Sequence, residues 1–258
     1  MNNIAVLPAR LASSRFPNKP LAKIHGIPMI GHCYFRTKMA KRLSEVYVAT
    51  CDQDIYDYIE SVGGKAIMTK DSHKRCSDRT AEAVQKIEAS SNERVDIVVM
   101  VQGDEPMVRP EMIDEAMLPM LENKSIKVVN LMAEMNSRDE HEDPNEVKVV
   151  ADRNSNALYF SREPIPSRKK TDGDIRMLKQ VSIIPFQRDF LFEYLEMEPT
   201  PLEIAESVDM NRILEHGFQV KMVLTSYSTY AVDTEEDRKN VEQKMACDLL
   251  MQGYMKTP

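Results

Sequence analysis

The chain has no tryptophan, and aromatic residues make up only 6% of its 258 residues. Its four cysteines, Cys33, Cys51, Cys76 and Cys247, form no CxxC pair. That scatter excludes a zinc-ribbon pattern and a disulfide framework, and it fits reduced thiols in a cytoplasmic protein. No window approaches ~18 consecutive apolar residues, so no membrane-spanning helix is expected. The first residues lack a basic segment followed by a long apolar one, which argues against a signal peptide. Positive charge is not in excess either: 41 acids against 34 bases give a net charge of −7. A sequence-independent nucleic-acid binder needs a basic face to displace counterions, so that class is excluded. Neither GxxxxGK[ST] nor GxGxxG occurs. A phosphate site, if present, must therefore be built mainly from side chains.

What is present is ordinary for a globular protein: 42% apolar and 29% charged residues. At about 150 residues per domain the length allows one or two domains, and it is enough for a full core. The 18 methionines are expected to fill that core.

Periodicity alternates between strand and helix over the first half. Strands are expected at 4–7, Glu45–Thr50, 65–68 and 95–101, the last being the most apolar run. Helices are expected at 28–42, 52–62, 78–89 and 110–121, the second of them stopped by Gly63-Gly64. Such alternation predicts an α/β fold with a mostly parallel, doubly wound sheet. Ligands of these sheets bind beyond the carboxyl ends of the strands, which directs attention to 8–15, 50–52 and 102–106. The second half reads differently. Strands are expected at 127–134, 147–152, Ala157–Ser161 and 219–226, with an apolar run at 181–186 and helices at 188–197, 201–215 and 235–251. Charged or polar loops are expected at 136–145 and 167–174. The economical organisation is a single domain over 1–258 with a small inserted lobe at about 150–200.

Two segments carry chemistry. The first, PARLASSRFPNKPL at 8–21, follows the opening strand and is stiffened by Pro17 and Pro20. Arg10, Arg15 and Lys19, with Ser13 and Ser14 as neutral donors, could converge on a triphosphate, which carries about four negative charges. A solvated basic loop is the plainer alternative. The second, VQGDEP at 101–106, places an acidic pair directly after the most apolar strand. Asp104 suits a hard cation such as Mg²⁺, which takes one or two carboxylates plus substrate oxygens. It could equally cap a turn before Pro106. Asp233, after the strand at 219–226, is either a second metal ligand or an N-cap for the final helix, a task Thr234 could also perform.

These segments belong to a longer pattern. It includes PAR-x-x-S-x-R-x-P-x-K-P-L at 8–21, G-x-PMI-x-H at 26–32, VAT at 48–50 and GG-K-x-x-MT at 63–69. It continues with VQGDEP at 101–106, KVV at 148–150, ALYFSR-x-PIPS at 157–167 and VDT-x-ED at 232–237. In these motifs the chain resembles the CMP-sugar synthetases, and most closely the 3-deoxy-manno-octulosonate (Kdo) cytidylyltransferase family, over nearly its whole length. The resemblance implies a three-layer α/β/α fold like that of nucleotide-diphospho-sugar transferases, with the inserted lobe serving sugar-acid contacts and homodimer formation. It implies the reaction CTP + sugar acid → CMP-sugar acid + pyrophosphate, with Mg²⁺, in lipopolysaccharide biosynthesis. It also implies residue roles. Arg10, Ser13, Arg15 and Lys19 would hold the triphosphate, with Thr50 also on the nucleotide side. Ser77, Asp78 and Arg79 would lie by the cytosine. Asp104 and Asp233 would bind Mg²⁺, while Gln102, Arg162, Gln180 and Asp209 would face the sugar acid. Arg10, Lys19, Asp104 and Asp233 would carry the catalysis. The partners are then CTP and a small acidic sugar, with no nucleic acid and no membrane insertion.

Three positions depart from the family pattern. Cys76 stands where the base-side motif has glycine, Gln180 where it has histidine, and Asp209-Met210 where it has a Glu-Gln pair. Two of the three concern the acceptor, which points to a Kdo-like acid, such as an amino or deoxy variant, as an alternative to Kdo itself. A nucleotidyltransferase for another carboxylate-bearing acceptor or another nucleotide, and a catalytically silent binding protein on the same fold, are the remaining alternatives.

Overall fold

The computed structural model describes residues 1–12, 16–169 and 175–255. Ser13 and Arg15, and most of the expected polar loop at 167–174, lie outside the described residues. Contacts divide the chain into two compact units, Met1–Asp114 with Thr229–Pro258, and Glu115–Ser228. The expected lobe at 150–200 falls within the second unit.

In the first unit, β1 (Asn3–Ala9) leads through a one-turn 3₁₀ helix (Lys19–Leu21) to a short hairpin, β2 (Lys23–Ile24) and β3 (Ile27–Pro28). Then follow α1 (Met29–Thr37), β4 (Glu45–Thr50), α2 (Gln53–Ser61), β5 (Ala66–Met68), α3 (Cys76–Ser91) and β6 (Ile97–Val101). The strands lie in the order β6-β1-β4-β5, and all these pairs are parallel. Every residue of β1 and β6 is buried, as expected for strands covered on both faces. Helix α3 packs on all four strands, and α1 on β1 and β4. The hairpin was not read from the sequence. Its two-residue turn is His25-Gly26, both with positive φ (45° and 82°), the conformation that lets a tight turn follow the twist of its strands.

Helix α4 (Pro110–Glu122) contains the division between the units. The second unit holds β7 (Val129–Glu134), α5 (Arg138–Glu142), β8 (Lys148–Ala151), β9 (Ala157–Ser161), β10 (Leu178–Val181) and β11 (Ile183–Gln187). It continues with α6 (Arg188–Leu195), α7 (Pro201–Glu206), α8 (Asp209–Glu215) and β12 (Lys221–Thr225). Its sheet runs β12-β7-β10-β8-β9; only β12 and β7 are parallel, and the other pairs are antiparallel. The parallel character expected from the first half does not extend here. The expected helix at 201–215 is two helices, because Ser207 takes a left-handed conformation (φ 53°) and closes α7. The apolar run at 181–186 spans the end of β10 and most of β11, and the loop expected at 136–145 contains α5, capped by the Ser137 side chain.

The chain then returns to the first unit with α9 (Glu235–Met245) and α10 (Leu249–Met255), where one helix was expected. Asp248 makes the break. Its Oδ1 accepts from the backbone N–H of Leu250 and Met251, and its Oδ2 pairs with the buried Arg36 at 2.6 Å. These helices close over Ile24, Met29 and Val232, forming an apolar cluster with Val241, Met245 and Met251. His32 is part of this seam. Nε2 faces the Ile24 carbonyl, Nδ1 faces the Tyr254 hydroxyl, and burial lowers its pKa to about 4, so it stays neutral and structural.

Candidate active site

Parallel pairing sets the carboxyl ends of β1, β4 and β6 along one sheet edge, with Ala9 beside Thr50 and Val6 beside Met100. From β1 the chain emerges at the exposed Arg10 and enters the basic loop. Asp52, just past β4, anchors that loop through its Oδ2, which accepts from Leu11 N–H at 2.8 Å. The loop closes on itself where Asn18 N–H donates to the Leu11 carbonyl, and Asn18 is left-handed (φ 58°). Lys19 follows immediately. Past β6, Gln102 is half-buried, and Gly103 lets the backbone pass close over Ile30; a Cβ there would lie 2.9 Å from Ile30 Cδ1. Asp104 comes next, and its carbonyl accepts from Val232 N–H at 2.9 Å. That bond, with Val232 fully buried, holds the neighbouring Asp233 beside the strand ends.

Three side chains from three segments meet here. Lys19 Nζ lies 3.4 Å from Asp104 Oδ2 and 3.2 Å from Asp233 Oδ1. The lysine side chain is 15% exposed and the two carboxylates 25% and 27%, so the cluster is shielded but open to ligand. Burial disfavours the ammonium, but the facing carboxylates outweigh it and raise the Lys19 pKa above its ordinary value. Of the two roles open to Asp233, the helix cap goes elsewhere. Thr234 caps α9, its side chain accepting from Asp237 N–H while Asp237 returns to Thr234 N–H. Asp233 is thereby left to face Lys19.

Asp104 Oδ2 and Asp233 Oδ1 both face Lys19 Nζ, so the two carboxylates border one gap in which hard oxygen donors could take a cation. Among the described residues no group of three or more His, Cys, Asp or Glu could hold a metal. A pair of hard oxygen donors that leaves further positions to substrate and water matches Mg²⁺ and not a structural zinc site.

The other expected residues take these positions. Thr50 is buried at the end of β4, with its hydroxyl accepting from Asp52 N–H. Ser77, Asp78 and Arg79 occupy the first turn of α3. Arg79 is 3% exposed; Nη1 donates to Thr69 Oγ1 and the Lys70 carbonyl, while Nη2 is buried without a hydrogen-bond partner. A buried guanidinium nitrogen in that state is a strong donor for an incoming acceptor. The remaining three residues belong to the second unit. Arg162 is held to backbone: Nε donates to the Glu206 carbonyl at 2.8 Å and Nη1 to that of Pro144 at 2.9 Å. Gln180 Nε2 donates to Asn130 Oδ1 at 2.5 Å, and Asp209 begins α8 half-buried. Met210, counted among the acceptor-side departures, is 1% exposed and fills space.

Sequence reasoning missed Asp52, although it lies in a strand-end segment that was singled out. It also missed Glu206, whose carboxylate accepts from Tyr159 Oη, Ser161 Oγ and Arg162 N–H and so fixes the YFSR segment. No local signal marks Glu206, since its partners are distant in sequence.

With this geometry in hand, the chain was compared with known proteins. The family described as cytidylyltransferase matches residues 4–225. A 3-deoxy-manno-octulosonate cytidylyltransferase from Geobacter metallireducens is 42% identical, covering 95% of this chain and 98% of the relative. One from Fusobacterium nucleatum is 39% identical, covering 93% and 96%. A solved CMP:2-keto-3-deoxy-manno-octonic acid synthetase complexed with CTP superposes with a TM-score of 0.88 at 36% identity, covering 96% of this chain and 100% of that one. The chain belongs to the cytidylyltransferase family, and its α/β fold with a parallel sheet is that of these nucleotidyltransferases.

Proposed function

We propose that the chain is a CTP-dependent enzyme that transfers CMP from CTP to the anomeric hydroxyl of 3-deoxy-manno-octulosonate and releases pyrophosphate. Relatives of that name match along almost the full length, and the observation that carries the site assignment is the meeting of Lys19, Asp104 and Asp233. Asp104 and Asp233 are the residues that would hold Mg²⁺. When bound, the ion withdraws charge from the α-phosphate and makes the attacking hydroxyl more acidic. Arg10 and Lys19, with Ser13 and Arg15 from the same loop, bind the triphosphate oxygens and stabilise charge on the departing pyrophosphate. The acceptor oxygen forms its bond to the α-phosphorus as the bond to pyrophosphate breaks, so no covalent enzyme intermediate is needed. Arg79 Nη2 offers a buried donor to the base. Gln102, Arg162, Gln180 and Asp209 complete the reading on the acceptor side. A homodimer working in the cytoplasm, where CTP is available, belongs to the same proposal.

The test is pyrophosphate release by the purified full-length chain, with four nucleoside triphosphates crossed against a panel of sugar acids. Turnover is expected with CTP and Kdo together. Faster turnover with an amino or deoxy analogue would move the acceptor to a Kdo-like acid, the outcome favoured by Gln180 and Asp209. Unchanged turnover in Asp104→Ala would remove Asp104 from catalysis.

A further inference from the structure

The carboxylate pair already has an occupant, and that occupant belongs to the chain. Lys19 Nζ sits between Asp104 and Asp233, within 3.4 Å of both. A divalent cation between the two carboxylates would carry twice the charge of the ammonium that faces them. The ammonium and the metal cannot both occupy this gap, because two cations a few ångströms apart repel strongly in a partly buried site.

The two carboxylates are positioned by their backbones. The Asp104 carbonyl is bonded to Val232 N–H, and Asp233 N–H donates to Asp237 Oδ2 at 3.1 Å. Val232 is anchored in the apolar cluster beneath α9 and α10. The backbone beneath both acids is therefore held independently of the lysine. Lys19, by contrast, reaches them on a flexible four-carbon stem from a single 3₁₀ turn. A triphosphate, with about four negative charges, offers its ammonium a stronger acceptor than the pair does.

We propose that Lys19 is an internal placeholder cation: it occupies the Asp104–Asp233 pair in the nucleotide-free protein and vacates it when a triphosphate draws the ammonium away, so that nucleotide and metal reinforce each other's binding. This rests on the reading of Asp104 and Asp233 as the metal-binding pair. Reciprocity follows from linkage: the factor by which nucleotide tightens metal binding equals the factor by which metal tightens nucleotide binding.

The experiment is Mn²⁺ binding to the full-length protein without nucleotide, read by electron paramagnetic resonance. Lys19→Met is expected to bind Mn²⁺ about 10-fold more tightly than the unsubstituted chain, because the competing charge is gone. Lys19→Gln gives the same readout if the methionine variant does not fold. Lys19→Arg keeps the charge and is expected to bind as weakly as the unsubstituted chain. Asp104→Asn added to Lys19→Met is expected to abolish the gain. Equal, weaker or absent Mn²⁺ binding by the neutral variants overturns the placeholder role. If Asp104→Asn leaves the Mn²⁺ binding of Lys19→Met untouched, the metal-site reading itself fails, and the proposal with it.

Discussion

The charged clusters of the two units differ in how fully they are paired. In the second, Lys148, Lys179 and the Glu203–Arg212 pair are saturated. The Lys148 ammonium, in a fully buried side chain, donates to the carbonyls of Asp143, Glu146 and Arg162. Lys179 bridges Glu140 and Glu146, and Glu203, 0% exposed, takes two bonds from Arg212. In the first unit, the Lys19 cluster is partly open, and a buried Arg79 nitrogen lacks a hydrogen-bond partner. Satisfied charge holds a fold together, while charge left partly open at a strand end is available to a ligand. Substitutions should therefore cost stability in one unit and turnover in the other.

The largest effect is expected for Glu203→Ala, which strands the Arg212 guanidinium. A loss of about 3–5 kcal/mol in urea unfolding is expected. Replacing both partners, Glu203→Leu with Arg212→Met, should recover most of that loss. A loss that persists in the double variant would mean that the pair fixes geometry beyond its charges. Next comes Asp104→Asn, expected to lower kcat by about 10²–10³-fold. Its unfolding midpoint should stay level, because Asp233 still faces the Lys19 ammonium at 3.2 Å. A matching loss of stability would erase the contrast between the units. Lys148→Met should cost about 1–3 kcal/mol, since three carbonyls lose their donor.

The smallest effect tests a saturated carboxylate within the first unit. Burial alone would raise the Glu82 pKa, but hydrogen bonds from Lys86, Lys70 N–H and His73 outweigh it and bring it to about 2. A carboxyl depressed on folding stabilises above its unfolded pKa, near 4.5, and that contribution is lost as pH falls toward 2. Glu82→Gln should therefore give a flatter dependence of unfolding free energy on pH across that window. An unchanged slope would show that Glu82 is not coupled to folding.

Local pattern sufficed where local forces decide. The strands Glu45–Thr50 and Ala157–Ser161 fall where β-branched and aromatic runs predict them. It failed where a distant partner decides. The break before α10 depends on Asp248 meeting Arg36, and α7 ends because Ser207 turns left-handed. Neither appears in a helical periodicity that continues straight through. The strand-end rule located Asp104 and the basic loop. Asp233 was raised from its place after the strand at 219–226 but left open between metal ligand and helix cap, since its neighbour Thr234 carries an equally good capping signal. The saturation of Arg162 and Gln180 by groups in their own unit was invisible, because residues such as Glu206 and Asn130 carry no mark of their partners.

The first unit is not continuous in the chain: its opening 114 residues are completed by the segment from Thr229 onward. On the ribosome, Lys19 and Asp104 emerge long before Asp233, which arrives with the final helices. A nascent or prematurely terminated product thus holds half a carboxylate pair and an uncovered Ile24–Met29 patch. Synthesis itself delays the assembly of the site until the segment from Thr229 has been made.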